Sequence, residues 1–108
     1  MTPVIAQADR ASWQRQAAAE LARILECHPE LPCITWTVGP ASSVVIGQVS
    51  GLAPAPQVRR VFAAWRQALG LGECREQPGG GTSRLHAADR SGGVTVRLTA
   101  TVFEHEEA

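Results

Sequence analysis

The stretch GVTVRLTATVF, residues 93–103, decides the fold. Apolar residues occupy every second position in it, and threonine or arginine stands at most of the positions between them. Because successive side chains of a β-strand point to opposite faces of the sheet, this alternation predicts a strand with one buried face and one exposed face. The buried face must pack against other elements of the chain.

Two amphipathic helices are predicted to cover the buried face. The first runs from a cap at Asp9 or Ser12 to about Cys27, and its apolar side is formed by Trp13, Ala17, Leu21, Ile24, Leu25 and His28. The second begins near Pro56 and ends at Gly70, and its apolar side is formed by Val58, Val61, Phe62, Trp65 and Leu69. The comparable places of Trp13 and Trp65 hint at an internal duplication.

Turn residues divide the remaining sequence into short strands. Residues 33–38 and 43–50 predict a hairpin in which Gly47 marks a bulge or a close approach of the backbone. After the second helix, residues 73–77 and 83–88 lead to the last strand through turns at residues 78–81 and 89–92. Because hairpins join antiparallel strands, we expect an antiparallel sheet of four to five strands.

The predicted architecture is an α+β fold of order α-β-β-α-β-β(-β), with both helices on one face of the sheet. We expect one domain over residues 1–108, with a loose lead-in at residues 1–9 and a frayed tail at residues 104–108. The core is predicted to contain Trp13, Trp36 and Trp65, and the helices are predicted to cover Ile34, Trp36, Val94, Val96 and Leu98.

Charge and composition argue against several classes of function. Ten arginines balance ten acidic residues, so the chain has no overall attraction for nucleic acid or anionic lipid. No apolar run approaches the roughly 20 residues that cross a bilayer, and no signal peptide is expected. Three cysteines are an odd number, which favours a reduced, cytoplasmic setting over a disulfide framework.

The exposed side of the last strand is the first candidate binding site. Arg84 and His86 on the neighbouring strand are expected to share this face with Thr95, Arg97, Thr99 and Thr101, and Thr35 and Thr37 would extend it. Hydroxyl, guanidinium and imidazole groups together suit a polar ligand or a second copy of the chain. An ordinary solvated sheet face has the same pattern, because threonine is a good strand former.

The outer side of the second helix is the alternative site. Arg59, Arg60 and Arg66 lie there, and residues 57–69 contain no acidic residue. Arginines on a helix can contact nucleic-acid phosphates. A solvated helix face paired with acids elsewhere explains the same pattern.

No pattern of catalytic, metal-binding or cofactor-binding residues is predicted. Cys27, His28 and Cys33 are close in sequence, and Cys74 or His86 would complete a zinc site, but the paired ligands typical of structural zinc are missing. We expect Cys27 and Cys33 to be small buried residues instead. The glycines at 79–81 lack the lysine of a phosphate loop.

Several stretches resemble short proteins of high-GC actinobacteria. They are LPCITWTVG (residues 31–39), VSGLAP (residues 49–54), VFAAWR (residues 61–66) and LTATVF (residues 98–103). The resemblance covers most of the chain after residue 10. It implies a cytoplasmic bacterial accessory protein with a link to mobile elements, and it carries over no activity and no site residues.

Taken together, these patterns predict a non-catalytic binding or protein-interaction module without a cofactor. Its partner is expected to be another protein or a second copy bound through the sheet. The alternative is a nucleic-acid-associated accessory protein that uses the arginines of the second helix.

Overall fold

Two helices and five strands make up the described chain. The computed structural model describes residues 7–39, 43–49 and 53–103. Its elements are α1 (Gln7–Cys27), β1 (Thr35–Val38), β2 (Val44–Val49), α2 (Ala55–Leu69), β3 (Arg75–Gly79), β4 (Thr82–Ser91) and β5 (Val94–Phe103). The predicted α+β order is confirmed, with three strands after α2. The predicted tail and residues 1–6 of the predicted lead-in lie outside the described residues. The prediction of a loose lead-in is wrong at residues 7–9, because α1 begins at Gln7, before the predicted caps at Asp9 and Ser12.

The strands form one sheet in the order β1-β2-β5-β4-β3. β1 and β2 are an antiparallel hairpin, and β3, β4 and β5 follow one another as two further hairpins. The two groups meet along β2 and β5, which run parallel. The prediction of a purely antiparallel sheet is wrong at this pair. A tight turn sets the direction only of the strands it joins, whereas a helix and two strands separate β2 from β5.

Both helices lie on one face of the sheet, as predicted. The inward side chains of β5 form the floor beneath them, and each is at most 3% exposed: Val94, Val96, Leu98, Ala100 and Val102. Burial alternates along β5 and along most of β4, so the other face stays outside the core. The alternation predicted for residues 93–103 is therefore confirmed, and β5 separates the core on one face of the sheet from the partly or fully exposed residues on the other.

Pairs of glycines close both hairpins of the β3-β4-β5 group. Gly80 and Gly81 have φ angles of 57° and 83°, and Gly92 and Gly93 have φ angles of 57° and 81°. Two consecutive residues with positive φ are typical of the type I′ turn, whose twist matches that of the paired strands. The turns predicted at residues 78–81 and 89–92 begin too early, because these glycine pairs form the turns and let β3 and β4 run further.

Helix α2 packs its apolar side on the sheet as predicted. Three of its side chains are at most 2% exposed: Val58, Phe62 and Trp65. The helix ends at Gly70, which is left-handed and donates its N–H to the carbonyl oxygen of Gln67. The N–H of Leu71 donates to the carbonyl oxygen of Arg66 at 3.1 Å. These two bonds satisfy carbonyl groups that the end of a helix leaves open.

The indole of Trp36 lies across Gly47 on the neighbouring strand. A Cβ atom built on Gly47 would stand 2.7 Å from Cζ3 of Trp36, closer than real side chains approach. The Trp36 ring meets Trp65 edge to face at 5.4 Å between centroids, and the Nε1–H of Trp65 donates to the carbonyl oxygen of Pro32. The close approach predicted at Gly47 is confirmed, but the pairing of β2 continues through this residue without a bulge.

Helix α1 makes a thinner contact with the sheet than α2 does. Ala17 and Ile24 are its buried residues, whereas Leu25, predicted on the apolar side, is 46% exposed. Trp13 is only partly buried and belongs to neither core cluster, so its prediction as a core residue is wrong. A helix of 21 residues is about 31 Å long, more than the six residues of β2 can underlie at about 3.3 Å each. The internal duplication stays a prediction.

Substituting Gly47 with alanine tests the close contact with Trp36. The added methyl group must displace the indole from its place against Trp65, so we expect a loss of about 1–3 kcal/mol in the free energy of unfolding, measured by urea denaturation. Gly79→Ala is the matched control, because a Cβ atom there meets nothing within 4 Å. Equal stabilities for the two variants would show that Trp36 moves aside at no cost.

Glu20 ties α1 to the turn between β4 and β5. Its carboxylate accepts a hydrogen bond of 3.0 Å from the hydroxyl of Ser91 and forms an ion pair with Arg23, and its side chain is 12% exposed. Nearby, Nε2 of Gln16 donates to the carbonyl oxygen of Gly92. The hydrogen bonds from Arg23 hold the pKa of Glu20 below its ordinary value of 4.5, and the Ser91 bond acts in the same direction.

Because the pKa of Glu20 is lower in the folded chain than in the unfolded chain, its ionised form stabilises the fold above the unfolded pKa. That contribution is lost as the pH falls through the folded pKa. We therefore expect the stability difference between the wild type and Glu20→Gln to be largest near neutral pH and to shrink in acid, as measured by urea denaturation across pH. Glu26→Gln, at an exposed position of the same helix, is the control. A difference that stays constant with pH would contradict the assignment.

Candidate binding site on the bare sheet face

The face of the sheet opposite the helices is named the bare face here. It consists of Thr35, Thr37, Val44, Ile46, Gln48, Arg75, Gln77, Gly79, Thr82, Arg84, His86, Ala88, Arg90, Thr95, Arg97, Thr99, Thr101 and Phe103. One row crosses all five strands, because the register aligns Thr35, Gln48, Thr99, His86 and Arg75. Side chains that are directly opposite in such a row have Cβ atoms about 5 Å apart.

All six residues predicted for the exposed sheet site lie on the bare face: Arg84, His86, Thr95, Arg97, Thr99 and Thr101. The register pairs Arg84 with Thr101 and His86 with Thr99. Thr35 and Thr37, expected to extend the face, do so on β1. The shared face is therefore confirmed, and the binding role of these residues stays a prediction.

Alternation along the strands sorts their charged residues by face. All four arginines of the described strands are on the bare face: Arg75, Arg84, Arg90 and Arg97. The acidic residues of the described strands, Glu76 and Asp89, are in register with Leu85 and Val96 and so lie on the helix side. The bare face of the described strands is thus cationic, although the chain as a whole is neutral.

The guanidinium groups of the bare face have no partners among the described residues. Within residues 7–39, 43–49 and 53–103, no hydrogen bond or ion pair engages the guanidinium groups of Arg75, Arg84, Arg90 and Arg97. On the helices, three arginines bind acceptors within the chain and three bind none among the described residues. The first three are Arg23, Arg59 and Arg66, and the others are Arg10, Arg15 and Arg60. The cationic groups of the bare face therefore point to solvent with their donors available to a partner.

A depression of about 750 Å³ lies on the bare face over β2, β5, β4 and β3. The polar side chains of the bare face around it are Gln48, Arg75, Gln77, Arg84, His86, Thr99 and Thr101. Glu76 also borders it, but the carboxylate of Glu76 is bound by Arg59 of α2. Its size falls within the range of ligand pockets, about 300–1,000 Å³.

Sequence reasoning missed five polar residues of this face: Gln48, Arg75, Gln77, Thr82 and Arg90. The sequence pattern predicts a turn at Arg90, although Arg84, His86 and Arg90 keep the period of two along β4. The double glycine at residues 92–93 is the signal that would have extended the strand. Arg75 and Gln77 lie on an edge strand that is exposed at every position, so no burial pattern marks their face.

A smaller depression of about 270 Å³ lies where the ends of both helices approach the β4-β5 turn. Groups of both signs line it, including Glu20, Arg23 and Asp89. Glu20 and Arg23 already bind each other there. Mixed charges with internal partners favour a structural role for this depression.

The arginines predicted for nucleic-acid binding on α2 are largely engaged within the chain. The guanidinium of Arg59 donates to both carboxylate oxygens of Glu76, at 3.1 and 2.9 Å, and Arg66 donates to the carbonyl oxygen of Gly72 at 3.1 Å. Arg60 is exposed. Phosphate binding by Arg59 or Arg66 would have to replace these contacts.

The ion pair between Arg59 and Glu76 can be tested through the pKa of Glu76. Hydrogen bonds from Arg59 hold this pKa below its ordinary value of 4.5. In Arg59→Gln we expect the pKa of Glu76 to rise towards that value, measured by NMR of the side-chain carboxyl carbon. Arg60→Gln, the control on the next residue of the helix, should leave it unchanged. An unchanged pKa in Arg59→Gln would contradict the pairing.

The three cysteines are exposed and none forms a disulfide. The prediction that Cys27 and Cys33 are buried is wrong. Cys27 is in the last turn of α1 on its outward side, and Cys33 is in the connection before β1, so neither reaches the core. In the part of the chain that the structure describes, no group of three or more His, Cys, Asp or Glu side chains is arranged to hold a metal ion.

Comparison with known proteins finds no match among protein-family models, curated proteins or solved structures. The resemblance to actinobacterial proteins therefore stays a prediction. The described helices include none that is long and apolar enough to cross a membrane.

Proposed function

We propose that this chain is a non-catalytic protein-interaction module that binds an acidic segment of a partner protein on its bare face. The sorting of strand charges is the observation that carries the proposal. Arg75, Arg84, Arg90 and Arg97 share the bare face, and the strand carboxylates lie on the other side. Carboxylates of the partner would accept charge-assisted hydrogen bonds from these guanidinium groups, often two for each carboxylate.

The chemistry of the face favours an acidic protein over a nucleic acid. Single-stranded nucleic acid is commonly held by aromatic side chains on which the bases stack. The bare face of the described strands has one aromatic ring besides His86, that of Phe103 at the end of β5. The chain is also neutral overall, so it lacks the long-range field of typical nucleic-acid-binding domains. On α2, internal partners of Arg59 and Arg66 weigh against the nucleic-acid alternative.

Self-association through the sheet, which was predicted from the sequence, fits the charges less well. Stacking two bare faces would bring two sets of arginines together, and like charges in an interface can cost several kcal/mol. A partner of opposite charge avoids this cost. The proposal keeps the predicted cytoplasmic setting, which three exposed thiols support because a reducing compartment keeps thiols free.

Fluorescence anisotropy with a labelled ten-residue polyglutamate peptide tests the proposal. We expect the wild type to bind the peptide more weakly as salt rises, because the attraction is between exposed charges. Arg84→Gln with Arg97→Gln should weaken binding by about tenfold, which is about 1.4 kcal/mol. Arg10→Gln with Arg60→Gln is the matched control. It removes the same charge from exposed helix positions and should change binding by less than about twofold.

Three outcomes would overturn the proposal. The control pair could weaken binding as much as the bare-face pair, which would reveal attraction to net charge alone. An oligothymidylate of the same length could bind more tightly than the peptide, which would favour nucleic acid. Light scattering could show a dimer that the bare-face substitutions dissociate, which would favour self-association.

A further inference from the structure

The depression on the bare face gathers hydrogen-bond donors from four strands. Arg75 comes from β3, Arg84 and His86 come from β4, and β5 and β2 add the hydroxyl of Thr99 and the amide of Gln48. The bordering acid, Glu76, is already bound by Arg59 of α2. A group that enters the depression therefore meets donors, two of which are permanently cationic.

The register brings the strongest donors close together. His86 is directly opposite Arg75, and Arg84 is two residues before His86 on the same strand. Cβ atoms of direct cross-strand neighbours are about 5 Å apart, and those of diagonal neighbours such as Arg75 and Arg84 are about 7–8 Å apart. Two arginines and an imidazole at this spacing can reach a single group between them. Arg97, opposite Ile46 and Ala88, and Arg90, opposite Thr95, lie further along the sheet.

This arrangement suits a phosphate group better than a carboxylate. A carboxylate offers one negative charge and two oxygens, whereas a phosphorylated side chain carries a charge of about −1.5 to −2 and three acceptor oxygens. Each guanidinium group can donate two parallel hydrogen bonds to such a group. The depression, at about 750 Å³, also has room for the side chain that carries the phosphate and for the neighbouring chain.

We infer that the depression lined by Arg75, Arg84 and His86 binds a phosphorylated side chain of the partner's acidic segment. The inference rests on the proposed function and narrows it. Acidic residues beside the phosphate contact Arg90 and Arg97, while the phosphate enters the depression. Phosphorylation of the partner then strengthens its binding to this face. Clusters of arginines commonly recognise phosphopeptides in this way.

Three labelled peptides, identical except at the centre, test the inference by anisotropy. Each has glutamates on both sides of a central serine, glutamate or phosphoserine. For the wild type we expect the phosphoserine peptide to bind about tenfold more tightly than the serine peptide, which is about 1.4 kcal/mol. The affinity of the glutamate peptide should be within about threefold of that of the serine peptide. Thermal melting of each variant confirms that it is folded.

Two double variants locate the effect. Arg75→Gln with Arg84→Gln should reduce the preference for phosphoserine to about twofold or less, because the phosphate loses its bidentate donors. Arg90→Gln with Arg97→Gln is the matched control, since it removes the same charge from the same face outside the depression. It should weaken the binding of all three peptides by a similar factor and leave the preference for phosphoserine unchanged.

The results separate failure of this inference from failure of the proposed function. Binding of the serine peptide with no gain for phosphoserine over glutamate overturns the phosphate site and leaves the proposed function standing. A preference that survives Arg75→Gln with Arg84→Gln also overturns it. Inorganic phosphate and unlabelled phosphoserine peptide are compared as competitors of the labelled phosphoserine peptide. If both compete at the same concentration, the site binds a free anion, and the inference of a phosphorylated side chain is overturned. If no peptide binds, both proposals fail.

Discussion

The period of two along β5 is the constraint on which the rest of the structure depends. Its inward side chains, from Val94 to Val102, form the floor of the core beneath both helices. The same alternation puts Thr95, Arg97, Thr99 and Thr101 on the bare face. A slip of the register by one residue would exchange the two sets, exposing the apolar residues and burying an arginine without a partner. Core and candidate site are therefore two sides of one strand.

The parallel pair of β2 and β5 joins two strand groups that could each form locally. One group is the β1-β2 hairpin, in which the indole of Trp36 packs on Gly47. The other is the β3-β4-β5 group with its two glycine turns. Their junction completes the sheet and brings Gln48 into the same row as Thr99, His86 and Arg75. The depression exists because four strands from both groups meet there.

Zero net charge conceals differences between the arginines in what they contact. Arg23, Arg59 and Arg66 on the helices bind acceptors within the chain and so contribute to packing at its surface. The arginines of the bare face have no such acceptors among the described residues. On the helices, Arg10, Arg15 and Arg60 likewise bind no acceptor among the described residues. A composition count cannot distinguish these arginines, because the difference depends on where each one lies and on what lies nearby. Recognition by the bare face would act at short range, where salt screening is incomplete.

Local patterns in the sequence were enough to predict the strand at residues 93–103, the apolar side and glycine end of α2, and the shared face of Arg84, His86 and the threonines of β5. Each depends on the period of one element or on its immediate neighbour. Tertiary structure alone decided the parallel pairing of β2 with β5, the position of Trp13 outside the core and the exposure of Cys27 and Cys33. It also added Gln48 and Arg75 to the candidate site. These features depend on which distant segments meet, and neither the period of one strand nor the residues of one turn determines that.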